Sequence, residues 1–276
     1  MISIIIPTYN EEEAIGNCLN SLRKQTFKDF EVVVVDDGST DHTVKVVSRF
    51  KEVLVMNGEH KGPGFSRNLG ARNAKGNIFI FVDADMTFDE DYLKNLVSPI
   101  NGDVIGTTHE LELVKNTKNI WSRCWGKLRV SKEESGKVKI FRAIRRDKFL
   151  ELGGFDPKYG YADDQTLWFK YKIKPISAKD TVCYHKNPET LEGVFKQSKW
   201  IGASIENRLL EGSLGYISLF IMIILFPLTI PILSIRKCQK NKDFRVFPWM
   251  LFFMAARYFG TIKGLFSKIH MKINFK

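Results

Sequence analysis

The apolar runs in the first third of the chain are short, continuous and stopped by polar residues. Ile2 to Ile6, Phe30 to Val35, Val53 to Met56 and Ile78 to Val82 each read as a strand buried on both faces. Between them the apolar residues fall at helical spacing. Ala14, Ile15, Cys18, Leu19 and Leu22 mark a helix over 11–25. Thr43 to Phe50 reads as a second helix, and Phe65 to Ala74 as a third that ends at Gly76. Strand and helix alternating in this way predict an α/β fold, a parallel sheet with helices on both faces.

Beyond Asp85 the pattern loosens. Helices are predicted over Glu90 to Val97, Arg145 to Leu152, Asp164 to Lys172 and Leu191 to Leu210, with short strands at Asp103 to Gly106 and Thr181 to Tyr184. Residues 110–138 are mixed. Leu214 to Ile235 then holds 22 residues without a charge, long enough to cross a bilayer, with Pro227 and Pro231 as kinks that membrane helices tolerate. Val246 to Ile262 is also apolar, apart from Arg257. The organisation expected is a catalytic domain over 1–210 and a membrane-associated helical segment over 211–276.

Charge sharpens that division. The chain of 276 residues carries +11, yet Arg236 to Lys276 alone holds ten Lys/Arg against one acid. A nucleic-acid binder spreads its basic surface differently, so no nucleic-acid partner is expected. A basic, aromatic tail suits an anionic membrane surface. Five Lys/Arg in Arg236 to Arg245 place that stretch in the cytoplasm. A single crossing from a cytoplasmic domain would place it outside, so a re-entrant hairpin or interfacial helices reconcile the two. The N-terminal run has no basic leader before it, and a cytoplasmic catalytic domain at the membrane is the expectation. Cys18, Cys124, Cys183 and Cys238 are scattered without a Cys-x-x-Cys pair, which points to reduced thiols and away from zinc.

The chemistry gathers at strand ends. Asp83 and Asp85 follow the strand at Ile78 to Val82, at the carboxyl edge where α/β sheets hold ligands. Hard oxygen donors there suit Mg²⁺ or Mn²⁺ carrying substrate phosphates. Gly62 and Gly64 hint at a dinucleotide fingerprint, but position 67 is Arg where its third glycine belongs, which excludes a Rossmann dehydrogenase.

Taken together, Ile5-Ile-Pro-Thr-Tyr-Asn-Glu11, Val35-Asp-Asp-Gly-Ser-Thr-Asp41, Ser66-Arg-Asn-Leu-Gly-Ala-Arg-Asn-Ala-Lys-Gly76 and Phe81-Val-Asp-Ala-Asp85 resemble the family 2 glycosyltransferases of the GT-A fold. Gly153-Gly-Phe-Asp156, Ala162-Asp-Asp164 and His185 extend the likeness over about residues 1–210. The resemblance implies a Rossmann-like, mostly parallel sheet sandwiched by helices and an inverting transfer from a nucleotide-diphosphate sugar. Pro7, Thr8, Tyr9 and Glu11 would border the nucleotide, and a helix starting at Glu11 would offer free N–H groups. Asp37 would accept the N3–H of a uracil, which favours a UDP-sugar, with Asp36 sharing that duty or bracing the loop. Arg67 would approach the base, Asp83 and the adjoining Ala84 the ribose. Asp85 and His185 would hold Mn²⁺ or Mg²⁺. Asp164 would be the general base, although N-capping of the next helix competes for this pair. Asp163, which replaces the family's usual Glu, would bind the acceptor, and Gly153, Gly154 and Phe155 would shape its pocket.

The Gln-x-x-Arg-Trp of processive synthases is not matched by Gln197-Ser-Lys-Trp200, so single additions are expected. The stretch Met86-Thr-Phe-Asp-Glu-Asp91 departs from polyprenyl-phosphate sugar synthases. A hydroxyl on a membrane lipid or lipid-linked glycan is therefore the expected acceptor. The rivals are a polyprenyl-phosphate transferase and an inactive nucleotide-sugar-binding scaffold. Trp121, Trp125, Arg123 and Arg129 either line the acceptor side or pack.

Overall fold

A computed structural model describes the backbone of residues 1–209 and 213–273, and the side-chain surroundings of 1–204 and 227–267. The chain divides into two compact units. The first is Met1–Leu113, Leu128–Pro157 and Ala162–His185; the second is Val114–Lys127, Lys158–Tyr161 and Lys186–Lys276.

In the first unit, β1 (Ile2–Thr8), α1 (Ile15–Arg23), β2 (Phe30–Asp36), α2 (Thr43–Val47), β3 (Val53–Asn57), α3 (Pro63–Asn73) and β4 (Ile78–Phe81) realise the predicted alternation. β1 pairs in parallel with β2 on one side and β4 on the other, with Ile4 opposite both Val32 and Ile80. Successive residues then point to opposite faces. Ile4, Ile6, Val32, Val34 and Ile80 pack under α1 and Leu93, whereas Ile5, Val33, Val35, Phe79 and Phe81 face Ala71 of α3. Both faces are apolar because both are covered, which is why these strands read as unbroken runs. Gly70 lets α3 lie on the sheet, since a Cβ there would stand 2.6 Å from Ile5 Cγ2.

The sheet is mixed rather than mostly parallel. Next come β5 (Thr87–Phe88), α4 (Tyr92–Val97), β6 (Gly106–Val114), α5 (Ile120–Trp125), β7 (Leu128–Val130), α6 (Lys132–Ser135), β8 (Ala143–Arg145), α7 (Arg146–Glu151), α8 (Thr166–Tyr171) and β9 (Ile176–His185). The strand order is β3-β2-β1-β4-β8-β6-β9-β5, with β7 on β6. β8 joins β4 antiparallel, and β6 joins β8 antiparallel. These added strands carry polar residues such as Thr107, His109 and Glu112, so they show no apolar run. β8 ends at Arg145, where the sequence predicts a helix to start, and that helix starts one residue later as α7. A 3-10 stretch over Pro157–Gln165 precedes α8, so Asp163 and Asp164 lie before that helix and neither caps it.

The second unit is helical. It contains α5, α9 (Leu191–Leu209), α10 (Ser213–Lys240) and α11 (Phe247–Ile273). α9 packs on α11, where a Cβ at Gly202, Gly260 or Gly264 would run into the facing backbone. Cys124, Val194, Cys238, Met250 and Phe253 form its core. Trp121 and Trp125 pack edge-on against Trp249 and Phe253, and Arg123 pairs with the buried Asp243, so this cluster packs rather than lining an acceptor site. Among the described residues no helix is long and apolar enough to cross a membrane. The side chains of the uncharged run up to residue 226 lie outside the described ones. All four cysteines are free and buried.

Candidate functional site

The strand order 3-2-1-4 means that the chain leaves β1 in opposite directions, toward β2 and toward β4. Open α/β sheets hold ligands outside the carboxyl ends at such a switch. Three loops meet there, and they are tied to one another. Asn10, held at φ 55°, donates its N–H to Ser39 Oγ (2.9 Å) and accepts Thr40 N–H at its side-chain oxygen (2.8 Å). Glu11 N–H donates to Thr43 Oγ1 (2.7 Å), and Glu12 N–H to Asp41 (3.2 Å). The N–H groups expected to be free are thus consumed, because the helix begins only at Ile15.

Asp36 and Asp37 serve different loops. Asp36 accepts Ser39 N–H and Oγ–H, which braces its own turn. Asp37 reaches across to the entry of α3. Its Oδ1 accepts Lys61 N–H (3.1 Å) and Ser66 Oγ–H (3.2 Å), and its Oδ2 accepts Gly62 N–H (2.8 Å). A carboxylate has about four acceptor positions, and these three bonds leave about one of them. Tyr9 is exposed against His60, with ring centroids 4.7 Å apart, whereas Pro7, Thr8 and Ala84 are buried.

Arg67, expected at the base, is buried between two carboxylates. One nitrogen donates to Asp83 (2.7 Å) and another to Asp163 (2.6 Å). Asp163 also accepts the N–H of Gly64 at the start of α3. Asp83 receives a second cation, Arg142, at 3.3 Å. Burial pushes Asp83 up, but Arg142 and Arg67 outweigh it and hold the carboxyl well below its usual range. Asp164 has no such grip. Burial, with Asp163 and Asp83 nearby, lifts it to about 7 although Arg67 and Arg142 pull it down. Its Oδ1 is buried without a hydrogen-bond partner, and so is Arg142 Nε. Unpartnered buried polar atoms at such a switch mark where a ligand's groups belong.

His185, from the far end of β9, meets Asp85 with Nε2 to Oδ2 at 2.8 Å. Its other nitrogen lies 3.0 Å from Glu112 Oε1. Glu112 Oε2 in turn lies 3.0 Å from His109 Nε2, and His109 Nδ1 is 3.3 Å from Cys183 Sγ. Burial lowers His185, but Asp85 and Glu112 overcome this and the repulsion of Arg129 to raise it to about 9. Burial opposes the charge on Glu112, yet its two histidine partners hold it well below the usual range.

The donor set fits a divalent cation. Burial, then Asp85 and Asp83, drive Glu11 up to about 8. Carboxyls that repel one another beside a histidine are what a hard cation relieves. His109, Glu112 and Cys183 also lie within 4.8 Å of one another. Arg142 and Arg129 stand 4.0 and 3.9 Å from that carboxylate and already supply it with positive charge, whereas no arginine stands beside Asp85 among the ion pairs of the described residues.

Gly153, Gly154 and Phe155 form a turn pinned to α3. Asn68 accepts Phe155 N–H (3.0 Å) and donates to its carbonyl (2.6 Å). Gly154 has φ +70°, and a Cβ on it would stand 2.6 Å from Asn68 Oδ1. Phe155 is buried with Phe81 and Phe149, 5.8 Å from the Arg67 guanidinium. Glu112, His109 and Arg142 were not found from sequence. They sit on or beside strands with no apolar run, and only the structure brings them to His185 and Asp83.

The family model "Glycosyl transferase family 2" matches residues 3–153. Glycosyltransferase AglE of Haloferax volcanii is 36% identical over 186 residues, covering 61% of this chain and 60% of that protein. The poly(ribitol-phosphate) beta-N-acetylglucosaminyltransferase TarS of Staphylococcus aureus is 41% identical over 106 residues, which is 36% of this chain and 18% of TarS. The chain thus spans less than two thirds of each of these relatives, and under a fifth of TarS. Among solved structures, the mannosyltransferase PcManGT of Pyrobaculum calidifontis, in complex with GDP-Man and Mn²⁺, shares the fold with a TM-score of 0.64 at 21% identity. That likeness covers 97% of this chain and 87% of the other. TarS 1-349 with UDP-GlcNAc gives 0.53 at 20% identity, covering 98% and 92%.

Proposed function

The chain belongs to glycosyl transferase family 2, and from that premise we propose that it moves a sugar from a nucleotide-diphosphate donor, with inversion, to a hydroxyl of a membrane-associated glycan or lipid. The observation that carries this reading is Asp164. It is a half-buried carboxyl whose Oδ1 is buried without a partner, with a pKa raised to about 7. A base is most effective when its pKa lies near the working pH, and a hydroxyl acceptor needs one. An acceptor phosphate is already an anion and would leave Asp164 idle.

The other residues serve positioning. Tyr9 and the Asp36–Asp37 loop border the nucleotide, with the free acceptor position of Asp37 toward the base. Asp83, locked by Arg67 and Arg142, presents a fixed charge toward the ribose. Arg67 therefore acts on the nucleotide through Asp83, and on the acceptor side through Asp163. Asp85 and His185 would hold Mn²⁺ or Mg²⁺, with Glu11 nearby, and a cation there would supply positive charge toward the diphosphate that leaves. Glu112 accepts from His185 Nδ1 and so keeps Nε2 aimed at Asp85, as carboxylates behind ligating histidines do. Asp164 Oδ1 takes the acceptor proton as the acceptor oxygen attacks the anomeric carbon opposite the leaving group. We place the catalytic unit on the cytoplasmic face of the membrane, and assign residues 1–210 to catalysis and 211–276 to attachment.

The test is transfer of labelled sugar into a lipid extract, with UDP- and GDP-sugars each supplied with Mn²⁺. Both nucleotides are needed because one structural neighbour holds GDP-Man and another UDP-GlcNAc. Label in a lipid fraction that disappears with EDTA supports the reading and names the donor. Label from neither donor, in lipid or soluble acceptors, contradicts it.

A further inference from the structure

The C-terminal helices have two apolar faces, which a water-facing helix does not. In the described part of α10, Ile230 and Leu233 pack on the core of the second unit while Ser234 and Cys238 are buried. The outward side is not polar. Leu228 is 74% exposed there, followed by Ile232 and Ile235 at helical spacing. On α11, Met250, Phe253 and Met254 face the core. The opposite side carries Trp249, Phe252, Phe259 and Phe266, the last three between 53 and 60% exposed, in a stripe whose steps of three, seven and seven residues keep to one helix face. All four exposed phenylalanines among the described residues, Phe244 included, lie between residues 244 and 266. Scattered exposed leucines need no explanation, whereas a run of outward aromatics on one helix marks an interaction surface.

Charge selects the partner. Arg236, Lys240, Lys242, Arg245 and Lys263 are exposed around these faces. The only acid from Arg236 to Lys276 is Asp243, which is buried and already paired with Arg123 and Arg245. A second copy of this chain would bring two such basic tails together, at a cost from like-charge repulsion. An anionic surface with an apolar interior matches both features at once. Aromatic and aliphatic side chains facing outward beside Lys/Arg suit helices that lie in the headgroup plane. Neither helix meets the length and apolarity needed to span, within the described residues.

We infer that the outward faces of α10 and α11 rest on an anionic lipid bilayer, with the aromatic stripe of α11 seated at the headgroup boundary. The inference deepens the proposed membrane acceptor by giving the mode of attachment.

The full chain is floated with vesicles of phosphatidylcholine, with and without phosphatidylglycerol. Wild type is expected to bind the anionic vesicles at least about tenfold better, and high salt is expected to remove that difference. Phe252→Ser/Phe259→Ser/Phe266→Ser is expected to lose about tenfold or more even on anionic vesicles. Arg236→Gln/Lys242→Gln is expected to lose the anionic preference. Both variants keep the wild-type circular dichroism, because the altered side chains are exposed, and both keep transfer to a soluble acceptor. Equal binding to both vesicle types that resists carbonate extraction would replace the inference with a spanning helix. No flotation, with self-association lost in the phenylalanine variant, would replace it with a second copy. Flotation as expected with no sugar transfer to any acceptor would sink the proposed reaction and leave this attachment standing.

Discussion

The two halves of the sheet bring opposite things to the site. The parallel half, β1, β2 and β4, ends in acids that have few cations of their own: Glu11, Asp36, Asp37, Asp83 and Asp85. The antiparallel half, β6, β8 and β9 with the segment before β8, answers with Arg142, His185 and the Glu112–His109 pair behind His185. One side gathers negative charge where a cation and a diphosphate would sit. The other balances part of that charge, Asp85 included, and leaves the remainder unmatched at Glu11. The difference shows how a site can be both stable and receptive. Asp83 is fully compensated and holds shape, while Asp164 and Glu11 are undercompensated and have raised pKa values.

Removing the bridge between the halves is the most damaging change expected. Arg142→Met leaves the half-buried Asp83 and the buried Glu112 without that cation, and is expected to cost about 3–5 kcal/mol in denaturant unfolding. A loss under about 1 kcal/mol would mean that the halves do not depend on each other through charge. Next comes the antiparallel half's support of the cation. Glu112→Gln is expected to weaken Mn²⁺ binding in the presence of UDP by about 10–100-fold, read by electron paramagnetic resonance. His185→Ala checks the ligand itself. If His185→Ala weakens Mn²⁺ and Glu112→Gln does not, Glu112 only packs.

The strain at the turn pinned to α3 is smaller. Gly154→Ala forces a side chain into φ +70° and against Asn68, and is expected to cost about 1–3 kcal/mol in thermal or denaturant unfolding. The gentlest probe is pH. Asp164 must be ionised to accept a proton, so kcat/KM is expected to rise with pH and level off above about 7. Stability moves the other way. The folded state binds the Asp164 proton more tightly than the unfolded one, so between 3.8 and about 7 this group's contribution falls as pH rises. Asp164→Asn is expected to flatten that slope of Tm against pH.

The same contrast explains what was legible in the chain. β1, β2 and β4 are covered on both faces, so each shows as an apolar run, and the acids at its end stand beside it in sequence. Asp83, Asp85 and the Asp36–Asp37 loop could be placed by eye. β6 and β8 join antiparallel and carry Thr107, His109 and Glu112, and nothing local marks them as strands. Glu112 gains its meaning only from His185, and Arg142 only from Asp83. Arg67 was visible as a residue but not as a bridge, because Asp163 reaches it from far along the chain. Phe155 was visible as part of a motif, yet its aromatic neighbours Phe81 and Phe149 put it in the core.

The central claim is that Asp164 is the base of a sugar transfer. The direct measurement is the initial rate of transfer by Asp164→Asn beside wild type, at saturating donor and Mn²⁺, with UDP binding measured on the same preparations. The account predicts unchanged nucleotide binding and a kcat lower by about 10²–10⁴-fold. Transfer within a few-fold of wild type would contradict it and move the acceptor to a group that is already an anion.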